Sequence, residues 1–323
     1  MDYRLHSLFQ PLQINGTTPG SRYVECLPSA AVLPYVACYW ESGTEEWTID
    51  GLAELNELDV MEDVSVTARV LPDGCSDILI TNDLMQGELD MSYCGNYTQP
   101  FAFYKEPSKA AATNGTGTGY TFGVRFFPGG ARVFHGMALD EFTDRRIPLE
   151  QCWPGTVGEL QELRERMQQT TSFRERVRLI DAYLNRWLND ALLYRRMPGS
   201  DLLKNVLHRI FTSRGQSSIK ELATLETVSE RQLHRSFKPW IGISPKRFSE
   251  VVRSHQVLAC IQRGNVHDWP EIALAYGYFD QAHLIRHFRA WYGATPGVAA
   301  QEHQQKLSVM YNTSRISSGR LRS

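Results

Sequence analysis

A nine-residue pattern occurs twice in this chain, as Phe237-Lys-Pro-Trp-Ile-Gly-Ile-Ser-Pro245 and as Phe288-Arg-Ala-Trp-Tyr-Gly-Ala-Thr-Pro296, and no other feature constrains the fold as much. The offset of 51 residues also aligns Leu233 with Leu284, Arg235 with Arg286 and Ser229 with Asp280. Upstream, Glu221-Leu222-Ala223 aligns with Glu271-Ile272-Ala273 at an offset of 50, so the connection in the first copy is one residue shorter. Two copies are too few for a solenoid, which needs at least about three repeats to close a continuous core. The duplication predicts a pair of similar small units.

Each unit reads as helix, tight turn, helix. In the first, Ile219, Leu222, Ala223 and Leu225 recur near helical spacing, and Thr227-Val228-Ser229 breaks the run. Ser229 suits an N-cap, because its hydroxyl can accept from a free N–H of the first turn, and Glu230 suits the positive end of the helix dipole. That second helix is expected to reach about Trp240. In the second unit Ile272, Ala273 and Ala275 lead to Gly277 in the turn, and Asp280 is the expected cap. Between the units, Ser244-Pro245 opens an apolar-striped segment ending at Gly264, which predicts one helix of about 18 residues and about 27 Å. Such a spacer holds two helices roughly one turn of DNA apart.

The second helix of each unit carries the chemistry. At about 100° per residue Leu233 and Phe237 face inward, leaving Arg231, His234, Arg235 and Lys238 outward. In the second copy Leu284 and Phe288 face inward, Ala282, Ile285, Arg286 and Arg289 outward, with Gln281 and His283 on the flank. Arginine can donate twice to the O6 and N7 edge of guanine, glutamine can pair with adenine, and an apolar side chain such as Ile285 can pack on a thymine methyl. Arg231, Gln232, His234, Arg235, Gln281, Ala282, His283, Ile285 and Arg286 are therefore the expected base-reading residues, and Lys238, Lys246 and Arg289 the expected phosphate contacts. His283 and His287 stand four apart, a spacing able to hold zinc, but no third ligand accompanies them and no metal is expected.

Charge agrees with this division. Residues 1–199 carry 17 Lys and Arg against 27 Asp and Glu, a net of −10, whereas residues 200–323 carry 17 against 9, a net of +8. A basic C-terminal part points to a polyanion partner. The chain has 323 residues, 42% of them hydrophobic and 22% charged, which excludes disordered, collagen-like and membrane-embedded classes. No signal segment opens it, the cytoplasm is the expected compartment, and the six cysteines, none at CxxC spacing, are expected as reduced thiols.

The stretch from Ser218 to Ala300 resembles the DNA-binding domain of AraC/XylS-type transcription regulators. The second unit carries the likeness nearly throughout, from Glu271-Ile-Ala-Leu-Ala-Tyr-Gly-Tyr-Phe-Asp-Gln-Ala-His-Leu-Ile-Arg-His-Phe-Arg to Gly293-Ala-Thr-Pro296. By position, the resemblance implies base-reading roles for Arg231, His234, Arg235, Ala282, His283 and Arg286. Gly297-Val298-Ala299 departs from the family pattern and leaves the last helix open. Pro34-Tyr35-Val36, Cys38-Tyr39-Trp40, Leu71-Pro-Asp-Gly-Cys75 and Gly123-Val-Arg-Phe-Phe-Pro-Gly129 are similar to a sensor domain found before such readers.

Val64, Val66, Ala68 and Val70 alternate as a strand, Asp73-Gly74 reads as a turn, and Ile78 and Ile80 alternate again, which predicts a hairpin. Tyr120 to Phe127 reads as another strand. The expected fold is α+β: a cupin-like N-terminal β-barrel sensor with helices over residues 1–157, a helical linker over 158–197, an all-α double helix-turn-helix domain over 198–300 and a flexible tail over 301–323. In the linker, Phe173, Val177, Ile180, Leu184, Trp187, Ala191 and Tyr194 form a helical seam, either a dimer interface or a face packed on the barrel, and Arg195 to Ser200 is the expected hinge. Trp40, Trp47, Tyr93, Tyr97, Phe101 and Phe103 are either pocket or core aromatics; Trp40, Tyr93, Phe103 and Arg125, the last as a clamp for an anion, are the expected effector pocket. The expected function is a non-enzymatic, sequence-specific bacterial regulator of transcription, an activator or a repressor, that binds promoter DNA, takes a small-molecule effector and uses no cofactor. RNA polymerase and a second copy of the chain stay open as partners. Two other readings stay open: a DNA-modifying or repair enzyme with Cys75 as nucleophile, and a ligand-independent architectural protein.

Overall fold

A computed structural model describes residues 14–15, 23–43, 66–82, 89–104, 120–153, 157–194, 200–264 and 268–303, with the backbone alone for 14–15, 66–68, 101–104, 157, 193–194 and 200. The N-terminal strands are β1 (Ile14–Asn15), β2 (Tyr23–Cys26), β3 (Val36–Gly43), β4 (Val66–Val70), β5 (Ser76–Asn82), β6 (Leu89–Cys94), β7 (Phe101–Tyr104), β8 (Tyr120–Phe126) and β9 (Arg146–Pro148). They pair antiparallel throughout, as a three-stranded sheet β1-β4-β7 and a six-stranded sheet β2-β3-β8-β5-β6-β9. Among the described residues no ladder joins the two sheets, so closure into a barrel is not seen.

The expected hairpin between the strands at 66–70 and 76–82 does not form. Both strands are present, but β4 pairs with β7 and β5 pairs with β6 and β8. The chain crosses from one sheet to the other at Leu71–Cys75, where the Asp73 carboxylate accepts from the Cys75 N–H at 2.8 Å and Gly74 takes a φ of 77°. A tight-turn composition marks a change of direction without naming the strand that follows as partner.

One face of the six-stranded sheet carries Val36, Tyr39, Ile78, Ile80, Met91, Tyr93, Phe122, Val124 and Phe126, all buried. Against it pack α1 (Gly130–His135), α2 (Val157–Gln169) and α3 (Phe173–Tyr194). Ile180, Leu184, Trp187 and Ala191 are buried, so the seam of α3 packs within the N-terminal domain rather than against a second chain. Under α3 a buried ion pair fixes its angle: Arg176 donates to both carboxylate oxygens of Glu41, at 2.6 and 3.0 Å. The hinge residues 195–199 lie outside the described residues.

The C-terminal domain is helical: α4 (Ser200–Thr212), α5 (Ile219–Leu225), α6 (Glu230–Ile241), α7 (Pro245–Gln262), α8 (Trp269–Ala275), α9 (Gln281–Tyr292) and a last helix α10 over 296–303. The cap and spacer expectations correspond closely: Ser229, Ser244 and Asp280 accept from Gln232, Arg247 and His283, and α7 has 18 residues. Ser218 and Glu221 add a capping box before α5. Leu225, expected on the inward stripe of α5, is 56% exposed. Phe248 on α7 packs its ring against Phe211 and Phe237, with centroids 5.6 and 5.8 Å away. Burying such a ring contributes about 1.5–3 kcal/mol. Arg253, also on α7, donates to the Gly215 and Gly277 carbonyls at 2.8 and 3.1 Å and so ties the second unit's turn to the end of α4.

The two domains share a core. Ala37, Leu71, Cys75 and Phe127 of the sensor join the cluster built around α7. The tail is anchored further than expected, because Glu302 accepts from Arg69 of β4 at 2.8 Å and from the Tyr292 hydroxyl at 2.7 Å. Residues 304–323 lie outside the described residues. No helix among the described residues is long and apolar enough to cross a membrane.

Candidate nucleic-acid interface and sensor site

The two second helices, α6 and α9, place their apolar residues inward and their polar residues outward. On α6 Leu233, Phe237, Trp240 and Ile241 are buried, while Arg231, Gln232, His234, Arg235 and Lys238 are exposed. On α9 Leu284, Phe288, Trp291 and Tyr292 are buried, Ala282, Arg286 and Arg289 are exposed, and Gln281, His283 and Ile285 are half-buried. Lys246 is exposed in the first turn of α7. This is the geometry in which the N-terminal part of a helix presents its outer side chains to base edges.

Two of the expected contacts have partners within the protein. The ring of His283 turns back on its own helix: its Nδ1 accepts from the Phe279 N–H at 3.1 Å, and the ring meets those of His287 and Tyr278 at 4.4 and 5.5 Å between centroids. Lys238 faces the sensor, with its Nζ 3.9 Å from Asp140. The restraint on His283 comes from residues within five positions of it, whereas that on Lys238 comes from a different domain and could not be read locally. Among the described residues no group of three or more His, Cys, Asp and Glu side chains converges to hold a metal.

The end of α6 is seated on the sensor domain. Arg132 of α1 donates to the Pro239 carbonyl at 2.5 Å and lies 4.7 Å over the Trp240 ring. The Thr143 hydroxyl donates to the Gly242 carbonyl at 2.9 Å. Gly242 has a φ of 88°, and a Cβ there would stand 2.3 Å from the Asn96 side-chain oxygen, so glycine is required on both counts.

The four expected pocket residues do not gather in one place. Tyr93 is fully buried on the helix-covered face, with its ring edge-on to His135, Phe142 and Trp153. Strand register puts Trp40, Asp77 and Arg125 on the opposite face. There Trp40 lies across Gly123, stacks on Tyr23 and donates its indole N–H to Asp77 at 3.3 Å. The side chain of Phe103, in β7, lies outside the described residues, as do those of Phe101 and Trp47.

Arg125 is not an open clamp. Its guanidinium is ion-paired with Asp73 and, at 3.4 Å, with Asp77. Burial raises the Asp77 carboxyl to about 7, partly offset by the Trp40 indole, and lowers Arg125 to about 10. Asp73 belongs to the crossing loop, whose Pro72 carbonyl accepts from two reader side chains, Trp291 Nε1 at 2.7 Å and His255 Nε2 at 3.2 Å. Cys75, the nucleophile of the enzyme reading, is only 4% exposed, and burial pushes its thiol well above the ordinary range. A thiol so protonated and enclosed is inert.

A family model described as a helix-turn-helix domain matches residues 222–302, taking in both units from Leu222 onward, and one described as a domain of unknown function (DUF6597) matches residues 24–148. Residues 222–302 of the chain therefore form a helix-turn-helix domain. Among solved structures, an AraC-type transcriptional regulator from Chromobacterium violaceum is similar at 22% identity, over 38% of this chain and 97% of that one, with a TM-score of 0.30. ToxT from Vibrio cholerae is similar at 6% identity, over 90% and 98% of the two chains, with a TM-score of 0.38. A structure of ToxT with a bound unsaturated fatty acid matches at 8% identity, over 73% and 90%, with a TM-score of 0.34. No curated protein matches the chain.

Proposed function

We propose that this protein is an AraC-type transcription regulator that reads two successive major-groove segments of one promoter duplex through α6 and α9, and that a small-molecule effector on the N-terminal domain adjusts how those helices are presented. The observation that supports the first part is the pair of exposed, capped helices held by one 18-residue spacer, with Arg235 and Arg286 at matching positions on each. Arg231, Gln232, His234 and Arg235 read bases from the first unit, Gln281, Ala282, Ile285 and Arg286 from the second. Lys246 and Arg289 meet phosphates, joined by Lys238 once it leaves Asp140.

The effector part rests on the crossing loop. Asp73 is bonded to Arg125 inside the sensor, and its neighbour Pro72 is bonded to Trp291 and His255 inside the reader. An anionic or strongly polar effector that competes with Asp73 for Arg125, beside Trp40 and Asp77, has a short mechanical route to α7 and α9. Its energetic effect equals its differential affinity for the two loop positions.

Sequencing the genomic fragments retained by the purified protein tests the DNA reading: enrichment of one motif with two parts about a helical turn apart is the expected result, and unselective retention would overturn it. A thermal-shift screen of small carboxylates and other polar metabolites tests the sensor. Stabilisation by one compound in the wild type, lost in Arg125→Met, supports the site; stabilisation retained in that variant would place the effector elsewhere.

A further inference from the structure

The two reading units are copies in backbone and opposites in surface chemistry. At the 51-residue offset Arg231 corresponds to Ala282 and His234 to Ile285, while Arg235 and Lys238 keep cationic counterparts in Arg286 and Arg289. The first unit therefore offers hydrogen-bond donors where the second offers hydrocarbon.

The hydrogen bonds also locate the extra residue of the second unit. Val228 N–H donates to Ala223, and Tyr278 N–H to Ala273, equivalent bonds 50 residues apart. One step later Gln232 N–H donates to the cap Ser229 and His283 N–H to the cap Asp280, equivalent bonds 51 residues apart. Between Val228 and Ser229 there is nothing; between Tyr278 and Asp280 stands Phe279. It is the inserted residue, and its side chain is 85% exposed, the most exposed large apolar side chain described. Its N–H, which has no counterpart in the first unit, is taken up by His283 Nδ1. The insertion is thus held in place by the same helix whose N-terminal mouth it flanks.

A single exposed apolar side chain needs no special explanation. Here it stands with the exposed Ala282 and the half-buried Ile285 in the N-terminal half of a helix that in this fold enters the major groove, and at the last two positions the sister unit carries donors. Alanine and phenylalanine are apolar partners of the thymine methyl group, the one hydrocarbon feature on a major-groove edge. Resting on the entry of α9 into the groove, we infer that the second unit is a methyl reader: Phe279, Ala282 and Ile285 recognise pyrimidine 5-methyl groups, with Arg286 setting register. The two halves of the target site are therefore read by different chemistries, the first by donors on purine edges and the second by contact with thymine methyls.

The probe is a duplex selected from a randomised pool by the wild-type protein and footprinted to place the segment under α9. Uracil is then substituted for thymine in that segment, which removes the methyl groups and nothing else. The wild type should lose about fourfold in affinity for each contacted methyl, whereas the same exchange under α6 should cost less than twofold. Phe279→Ala should lose about tenfold on the thymine duplex and become insensitive to the exchange at its methyl; Phe279→Leu should recover part of both effects. Wild-type indifference to uracil under α9, or wild-type affinity in Phe279→Ala, would overturn the inference. Arg286→Ala on the same duplex separates the two levels: if it weakens binding and Phe279→Ala does not, only the methyl reading fails, and if neither does, the placement of α9 fails with it.

Discussion

The indole N–H of Trp291, on the second reading helix, donates to the Pro72 carbonyl in the loop between the two sheets, at 2.7 Å and out of contact with solvent. The same oxygen accepts from His255 at 3.2 Å, and the His255 and Trp291 rings meet edge to face with centroids 4.7 Å apart. One backbone carbonyl of the sensor therefore fixes two helices of the reader. The repeat motif requires a tryptophan at this position, and the docked structure shows one use of it: its counterpart Trp240 lies under Arg132, so each unit presses its motif tryptophan against the sensor.

Trp291→Phe keeps the ring and removes the donor. The expected cost is about 1 kcal/mol in urea unfolding, because His255 still satisfies the Pro72 carbonyl. Unchanged stability would mean that this bond does not hold the domains together.

His255 makes the docked state pH-sensitive. Burial, and to a lesser degree the nearby Arg125, lowers it from 6.5 to about 4, against the pull of the Pro72 carbonyl. The unfolded chain takes up a proton near 6.5 that the folded chain refuses until about 4, so the contribution is full above 6.5 and shrinks as the pH falls toward 4. The loss amounts to about 3 kcal/mol across that window. His255→Gln should flatten the stability profile between pH 6.5 and 4, measured by urea midpoints; a variant as steep as the wild type would assign the dependence to another group.

Much of the reader was legible because its determinants are local. Caps, proline at the start of α7 and the apolar spacing of α6 and α9 each act within one or two turns, so a short window of residues contains the cause. The errors fall where the cause is distant. Alternation at Val66–Val70 and at Ile78 and Ile80 identifies strands, but their partners depend on β7, β6 and β8. The seam of α3 has the same spacing whether it meets a sheet or a second helix. Arg125 looked available to a ligand because Asp73 and Asp77 stand some fifty residues away in sequence, and Tyr93 looked like its neighbour although register sends the two side chains to opposite faces. The change of offset from 50 to 51 falls at the turn of the second unit and marks Phe279 from the sequence alone.

Arg235 and Arg286 occupy matching outward positions, and each is exposed. Arg235→Ala or Arg286→Ala should weaken specific binding by about 1–3 kcal/mol and relax one position of the site. The measurement is a competition of the variant against single-base substitutions; an unaltered preference profile would remove that arginine from the reading set.

If Lys238 meets phosphate as proposed, Asp140 competes with DNA for it. The pair is half-exposed and long, at 3.9 Å, so it contributes under about 1 kcal/mol to stability. Its effect belongs to binding: Asp140→Asn should raise affinity a few-fold for all sequences at low salt, and the gain should vanish as salt screens both charges. Lys238→Ala should lower affinity equally for all sequences and flatten the salt dependence. A change of base preference in either variant would show that Lys238 reads sequence.

Asp73→Asn tests the loop itself. The amide oxygen can still accept from the Cys75 N–H, so the turn survives, while of its two ion-pair partners Arg125 keeps the more distant, Asp77 at 3.4 Å. Breaking one side of a buried pair costs about 3–5 kcal/mol, since the remaining charge stays desolvated, whereas removing both charges costs much less. The single variant should therefore unfold well below the wild type in urea, and Asp73→Asn with Arg125→Met should recover a large part of the loss, the signature of coupling in a double-mutant cycle. If the two substitutions simply add, Arg125 and Asp73 act independently, and the route from the sensor face to Pro72 and Trp291 is not carried by their ion pair.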